Sequence, residues 1–279
     1  MIVRIIKIRP TPAQEKKLDG WLWNLTGAYN WALRKVELDA RDCIYTSEFD
    51  LKSFINGHGN KIGIPSHVLR GTVSQAYNAW QRCFRKLAKK PRFKGRRNKL
   101  NSIPFPDPIA VSVGNKIKLP GLGSVRFHKQ DLPIAKIKCG RIVKRASGWH
   151  LCLWLDCEHK FPVKETDASV GIDPGFSTLL TLSDGTRIEN PRELRKGAQR
   201  LAQAQKAGDK TLTTRLLEKQ ANRRSDRNHK ISRKLVENYA TIYYSDDNFR
   251  GMARQFGKSV SAAGLGQLIR YLSYKSRIG

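Results

Sequence analysis

Asp173 ends a short strand-like run, SVGIDPG, in which apolar and small residues lead to one carboxylate followed by Pro174 and Gly175. An acid at the end of a strand suits divalent-cation chemistry. In phosphodiester hydrolysis one cation activates the attacking water while a second stabilises the leaving oxygen. Several acidic side chains must converge to hold such a pair, and Asp173 cannot do so alone. Asp246 and Asp247 close a second strand-like run, TIYYSDD, and Asp226 lies in a charged helical stretch. The five cysteines, Cys43, Cys83, Cys139, Cys152 and Cys157, are odd in number and form no CxxC pair, so reduced thiols are expected, without a disulfide framework or zinc module. Cys152, Cys157 and His159 are close in sequence, but the odd spacing in a strand turns the two thiols to opposite faces, against a metal site.

The other chemistry is charge. Lys and Arg number 53 against 23 Asp and Glu in 279 residues, a formal net charge of +30. Cations placed on phosphates release condensed counterions, a gain that needs no sequence match, so nucleic acid is the expected partner. The densest cationic run is KKPRFKGRRNK, Lys89 to Lys99. Arg92, Lys94, Arg96 and Arg97 are candidate phosphate contacts, and Phe93 among them could stack on a base. Arg223, Arg224, Arg227 and Lys230, in RRSDRNHK, form a second candidate set. The opening MIVRIIKIRP does not have the form of a signal peptide and no run is long enough for a membrane span, so a cytoplasmic, nucleoid-associated protein with no membrane partner is expected.

The elements that must carry these groups follow from periodicity. Residues 1–8 alternate, with Ile2, Arg4, Ile6 and Ile8 on one side, which predicts a strand. Thr11, Pro12 and Gln14 form a capping-box start to a helix whose apolar stripe, from Leu18 through Trp21, Leu25 and Tyr29 to Leu33, carries it to about Leu38. The aromatic rings of that stripe are read as core. A second helix is expected from about Pro65 to Leu87, ending where Pro91 and Gly95 break the pattern. From Ile103 to Phe161 come short alternating runs, AVSVG, KIKLP, GSVRFH, AKIKCGRIVKR and WHLCLWLD, which suggest a small barrel or sandwich that the first strand could complete. The N-terminal helices then form an insertion into that barrel. At Val170 a new α/β segment begins: SVGIDPG, a hairpin turning at Asp184–Gly185, a long charged helical stretch from about Arg192 to Tyr239, the strand TIYYSDD, and a last helix over about Ala262 to Tyr274.

A carboxylate at the end of the first strand of a hairpin, followed by further strands and helices, is also how RNase H-like nucleases begin. The motifs GAYNWAL around Asn30, KPRFKGR, KIKLPGLGSV, VGIDPG, RRSDRNHKIS, YSDDNFRGM and GLGQLIRYLSYKS, in this order, resemble the TnpB family of transposon-encoded relatives of the type V CRISPR effectors. The resemblance runs essentially end to end. It implies an α+β multidomain chain: an OB-like β-barrel wedge domain of residues 1–10 and 101–166, a helical recognition domain of 11–100 inserted in it, and a RuvC domain of RNase H-like α/β fold over 167–279. It also implies a guide RNA and a double-stranded DNA target chosen by RNA–DNA pairing beside a short duplex motif. Arg70, Ser74 and Gln75 on the second helix are then the candidates for reading that motif.

The departures from the family pattern gather at the catalytic positions. The second RuvC motif of the family reads like EDLNVKGM, and aligning on Gly251 and Met252 puts Ser245 where the metal-binding glutamate is expected. Asp246 could substitute only through a one-residue slip, which would turn its side chain to the other face of the strand. The family continues past LSYKS into a four-cysteine zinc module and a last catalytic aspartate, whereas the sequence stops at Gly279, so a C-terminally truncated RuvC-like domain is expected, with no zinc and no cofactor required. Asp173 is then vestigial, or holds a single weak metal. The basic runs, caps and strand alternation are intact, which points to the TnpB-like nuclease-dead repressors, proteins that use a guide RNA to occupy a target and block transcription. The competing expectations are a still-active RNA-guided DNA endonuclease, with Asp226 or a partner's acid as a further ligand, and an RNA-binding remnant that uses no guide. Guide, target gene, adjacent motif and oligomeric state are not written in the sequence.

Overall fold

A computed structural model describes residues 2–110, 114–128, 132, 135–157, 166–191, 197–245 and 248–276. The chain is α+β and divides into two compact units, residues 1–158 and 159–279.

In the first unit β1 (Ile2–Arg9) is followed by α1 (Pro12–Arg41), α2 (Glu48–Phe54), α3 (His58–Lys61) and α4 (Ser66–Phe84). Five strands then follow: β2 (Ser102–Phe105), β3 (Lys116–Leu119), β4 (Gly123–Phe127), β5 (Lys136–Arg145) and β6 (Gly148–Asp156). The sheet order is β2-β5-β6-β1-β4-β3, so the first strand of the chain sits inside a sheet built from the last strands of the unit. Along β1 the partner changes: Ile2 to Lys7 pair with β6, whereas Ile8 and Arg9 pair with β4. This change of partner curls the sheet. The ladder ends on β2 and β3, so among the described residues the sheet is a curled half-barrel, where the strand count suggested a small barrel or sandwich.

The alternation of β1 has its expected consequence, since Ile6 and Ile8 are buried and Val3 and Ile5 are exposed. Helix α1 starts as its sequence dictates, with the Thr11 side chain accepting from the Gln14 amide and the Gln14 side chain accepting from the Thr11 amide. Gln14 Nε2 also donates to the carbonyls of Leu122 and Ser124, 3.1 Å each, tying the helix start to the sheet. Trp21, Leu25, Tyr29 and Leu33 enter one core with Val68, Val73 and Trp80 of α4 and the inner faces of β2 to β6, as the aromatic stripe led one to expect. Trp80 is fixed by donating to the Leu33 carbonyl at 3.0 Å.

Two details differ from the sequence expectation. Helix α4 stops at Phe84, short of Leu87, because Lys86 adopts a left-handed conformation (φ 58°), leaving Leu87 exposed. The segment between the two long helices holds α2, started by a second capping box in which Ser47 and Asp50 accept from each other's amides. The expected strand AVSVG falls largely outside the described residues.

The second unit contains β7 (Ser169–Pro174), β8 (Thr178–Leu182), β9 (Arg187–Glu189), α5 (Ala198–Lys206), α6 (Lys210–Asn238), β10 (Thr241–Tyr244), α7 (Phe249–Ala263) and α8 (Leu265–Lys275). The sheet order is β10-β7-β8-β9, with β10 parallel to β7 and the hairpin strands antiparallel. A parallel return needs a crossover, and α5 and α6 lie in it. Among the described residues, the charged helical stretch expected from Arg192 to Tyr239 holds two helices. Gly208 turns left-handed (φ 68°) and Asp209 caps the new helix by accepting from the Leu212 amide, an end-and-restart signal the charge pattern hid. The last expected helix likewise proves to be the second of a pair, α7 and α8, separated by Gly264 (φ 66°). Leu235 and the apolar faces of α8 cover Val170, Ile172, Leu180 and Leu182 of the sheet. Among the described residues no helix is long and apolar enough to cross a membrane.

Candidate functional site

The parallel pairing of β7 and β10 decides what stands beside Asp173. Ile242 pairs with Val170, Tyr243 with Gly171 and Tyr244 with Ile172. One further step in the same register sets Ser245 beside Asp173. Val170 and Ile172 are buried, so alternation turns Gly171 and Asp173 to the open face, and Asp173 is exposed. Thr181, opposite Asp173 across the β7–β8 hairpin, and Ser183, whose Oγ accepts from the Gly171 amide at 3.0 Å, complete a shallow concavity of about 460 Å³ that also includes Ser245. Gly175 is required here. A Cβ at that position would lie 2.6 Å from the Thr178 carbonyl oxygen, so the tight turn that presents Asp173 admits no side chain.

Asp246, the candidate substitute for the missing carboxylate, lies outside the described residues. Asp226 is committed to Lys230 on its own helix at 2.8 Å. Among the described residues no three His, Cys, Asp or Glu side chains come together in a way that could hold a metal ion. Of the trio Cys152, Cys157 and His159, the last is outside the described residues, and burial raises the Cys152 thiol above its ordinary value. Among the described residues the strand ends bring together one carboxylate with hydroxyls from threonine, serine and tyrosine.

The basic segment after α4 is held down along α1. Asn30 makes two hydrogen bonds to the backbone of Lys94, Nδ2 donating to its carbonyl at 2.7 Å and Oδ1 accepting from its amide at 2.8 Å. The Leu100 amide donates to Thr26 Oγ1 at 3.2 Å, and Arg34 lies over the Phe93 ring at 4.8 Å from its centroid. Lys90 donates to the buried Glu37 at 2.7 Å, and that bond, reinforced by the Arg41 and Arg34 charges, holds the Glu37 carboxyl below its usual range. The segment is thus a strap with a fixed path. Arg92, Arg96 and Arg97 project into solvent from it and Lys94 is half-buried. Nothing in the charge count indicated the latch. Asn30, a poor helix former in the middle of α1, was the available signal.

The four candidates on α6 divide. Arg223 and Lys230 are exposed, whereas Arg227 Nη2 donates to the Ala263 carbonyl at 2.6 Å and Arg224 donates to the Ser261 carbonyl. These two guanidiniums, with Asn228 Nδ2 on the Gly264 carbonyl at 3.0 Å, satisfy the open C-terminal carbonyls of α7. Their geometry is structural. On α4, Arg70 is exposed and donates to Asn56 Oδ1 at 3.0 Å, while Ser74 Oγ donates to the Arg70 carbonyl at 3.0 Å. Gln75 Nε2 is buried with no hydrogen-bond partner among the described residues.

Known proteins are similar to this chain in sequence and in fold. The family OrfB_IS605, described as "Probable transposase", matches residues 153–255. "Putative RNA-guided DNA endonuclease InsQ" of Escherichia coli strain K12 is 28% identical over 213 residues, which is 72% of this chain and 53% of that protein. A "Putative RNA-guided DNA endonuclease" of Streptomyces pristinaespiralis is 26% identical over 231 residues, 76% of this chain and 57% of that protein. These similarities point toward the TnpB family. The chain spans about half the length of these curated relatives. Among solved structures, the Cas12f1 chain of a Cas12f1–sgRNA–target DNA complex superposes with a TM-score of 0.55 at 12% identity, covering 96% of this chain and 72% of its own. At that identity the likeness is one of fold.

Proposed function

We propose that this protein is an RNA-guided DNA-binding protein of the TnpB type that occupies a guide-matched target without cutting it and so represses transcription. The observation that carries the reading is Ser245 in line with Asp173 on adjacent parallel strands. In a RuvC-like site the second metal-binding carboxylate would project at that point, and a serine hydroxyl replaces neither its charge nor its two oxygens. Guide RNA and target DNA as partners follow from the names of the relatives and from the net charge of +30. In such a complex, base pairing supplies sequence while the protein supplies shape, charge and readout of an adjacent motif. On this reading Arg92, Arg96 and Arg97 of the strap and Arg223 and Lys230 of α6 hold phosphates, and Arg70, Ser74 and Gln75 face the duplex motif. The curled sheet and the helices between its strands serve as wedge and recognition parts, and the second unit as a RuvC-like domain.

The test is to combine the protein and its co-expressed RNA with a plasmid carrying the matching target in magnesium. The expected result is a retarded but intact plasmid, unchanged by Asp173→Ala. Cleavage that Asp173→Ala abolishes would establish the second reading, an active RNA-guided endonuclease, which the names of both curated relatives favour and which would recruit Asp246. Binding to unrelated RNAs with equal affinity would instead mark a guide-independent RNA-binding protein.

A further inference from the structure

Within the first unit, α1, α2, α3 and the strap enclose an open cleft of about 690 Å³, in the size range of small-ligand sites, roughly 300–1,000 Å³. Trp23, Gly27, Asn30 and Trp31 share one face of α1 at helical spacing and form one side of it. Three rings in this cleft lie open to solvent: Trp23 is 55%, Trp31 38% and Phe54 55% exposed. Trp31 and Phe54 meet edge to face, with centroids 6.4 Å apart. Lys94 and Arg96 stand on the rim. That rim is preorganised, because the Asn30 latch fixes the backbone of Lys94.

Gly27 adds an independent observation. It lies inside α1, where glycine is disfavoured relative to alanine by about 1 kcal/mol, and a Cβ there would meet nothing within 4 Å. Neither backbone conformation nor packing requires a glycine at this place. What its missing side chain does is leave the floor of the cleft open between the two tryptophans, allowing a flat group to approach the helix backbone.

We propose that this cleft captures one unpaired nucleobase of a bound nucleic-acid strand, with the ring stacked against Trp23, Trp31 or Phe54 and the flanking phosphates on Lys94 and Arg96. A purely apolar occupant would leave the cationic rim unused, and a phosphate alone would leave the open rings unused; a nucleotide uses both. Asn24, which also lines the cleft, supplies a donor and an acceptor for a base edge. The site rests on the nucleic-acid-binding reading but not on the presence of a guide or on the absence of cutting.

The experiment compares affinity of the full chain for a single-stranded oligonucleotide and for the same sugar-phosphate backbone with every base removed. Gly27→Leu fills the floor with a better helix former and Trp31→Ala removes a stacking face. Each should weaken binding of the base-bearing strand about tenfold and leave the abasic strand unchanged. Gly20→Leu, at another helical glycine of α1 with open space around it, should change neither. Cross-links from a 4-thiouridine-bearing strand should map to Trp23, Trp31 or Phe54, a readout that holds even if one variant folds poorly. Equal affinities of wild type, Gly27→Leu and Trp31→Ala for the base-bearing strand, or cross-links confined to other residues, would overturn the proposal. Heterogeneous co-purifying RNA would defeat guided targeting and leave these affinity ratios untouched, so the two failures are distinguishable.

Discussion

At the residue scale the decisive positions are small. Among the described residues, Ser245 beside Asp173 gives the strand ends one carboxylate and several hydroxyls. Placing an acid there by Ser245→Glu should raise manganese affinity about tenfold, roughly 1.4 kcal/mol, and adding Asp173→Ala should abolish that gain; calorimetric titration would show whether it does. An unchanged affinity would mean that the two side chains do not face one another. Asn30 offers a second test. Its paired hydrogen bonds of 2.7 and 2.8 Å clamp the backbone of Lys94. Asn30→Ala should cost about 1–2 kcal/mol in denaturant unfolding and weaken RNA binding, because the strap loses its fixed path. Asn30→Asp keeps the acceptor and loses the donor, so it should fall between the two. That clamp was not readable from composition, which showed a basic run but not whether it was solvated. Asp173 was readable because strand alternation and the Pro–Gly turn fix its place from local sequence alone.

At the element scale, most starts and stops were encoded by caps. The Thr11–Gln14 box, the alternation in β1 and the Asp184–Gly185 hairpin appear where the residues put them. The misjudged elements failed for one physical reason, that a left-handed residue outweighed an otherwise continuous helical pattern. Gly208 splits α5 from α6, Gly264 splits α7 from α8, and Lys86 ends α4 early. Pairing between distant segments was also hidden, so the use of Arg224 and Arg227 as caps for α7 could not be seen in the charge of α6. The exposed strap should behave as an electrostatic element. Replacing Arg92, Arg96 and Arg97 by Gln should lower the log–log salt slope of single-strand binding by about 2, at about 0.7 per phosphate contact. Helix α8 carries a different signature. Lys275 is 3% exposed and donates to the His229 carbonyl at 2.6 Å and Ser232 Oγ at 2.7 Å, and burial lowers its pKa from 10.5 to about 8. The folded state gives up this proton first, so from about pH 8 to 10.5 the unfolded chain binds more protons and stability rises with pH. Relative to Lys275→Met, the wild type should gain on the order of 3 kcal/mol across that window, as read from denaturant midpoints; a flat difference would contradict the buried-lysine assignment.

At the scale of the whole molecule, a net charge of +30 is carried on two compact units, each with its own core. Charge of that size favours a polyanion partner but does not choose one; base pairing can, as the proposed function requires. If the complex acts by residence, the occupied DNA should remain intact, and its affinity should fall steeply with salt while its sequence preference follows the RNA. The most direct measurement is to express the protein with its native flanking DNA, sequence the RNA that co-purifies, and map both the sites it occupies in the cell and any breaks at those sites. The account predicts one discrete RNA whose terminal segment matches a few occupied, unbroken sites. Heterogeneous RNA with no matching sites, or matched sites that are cut, would contradict it.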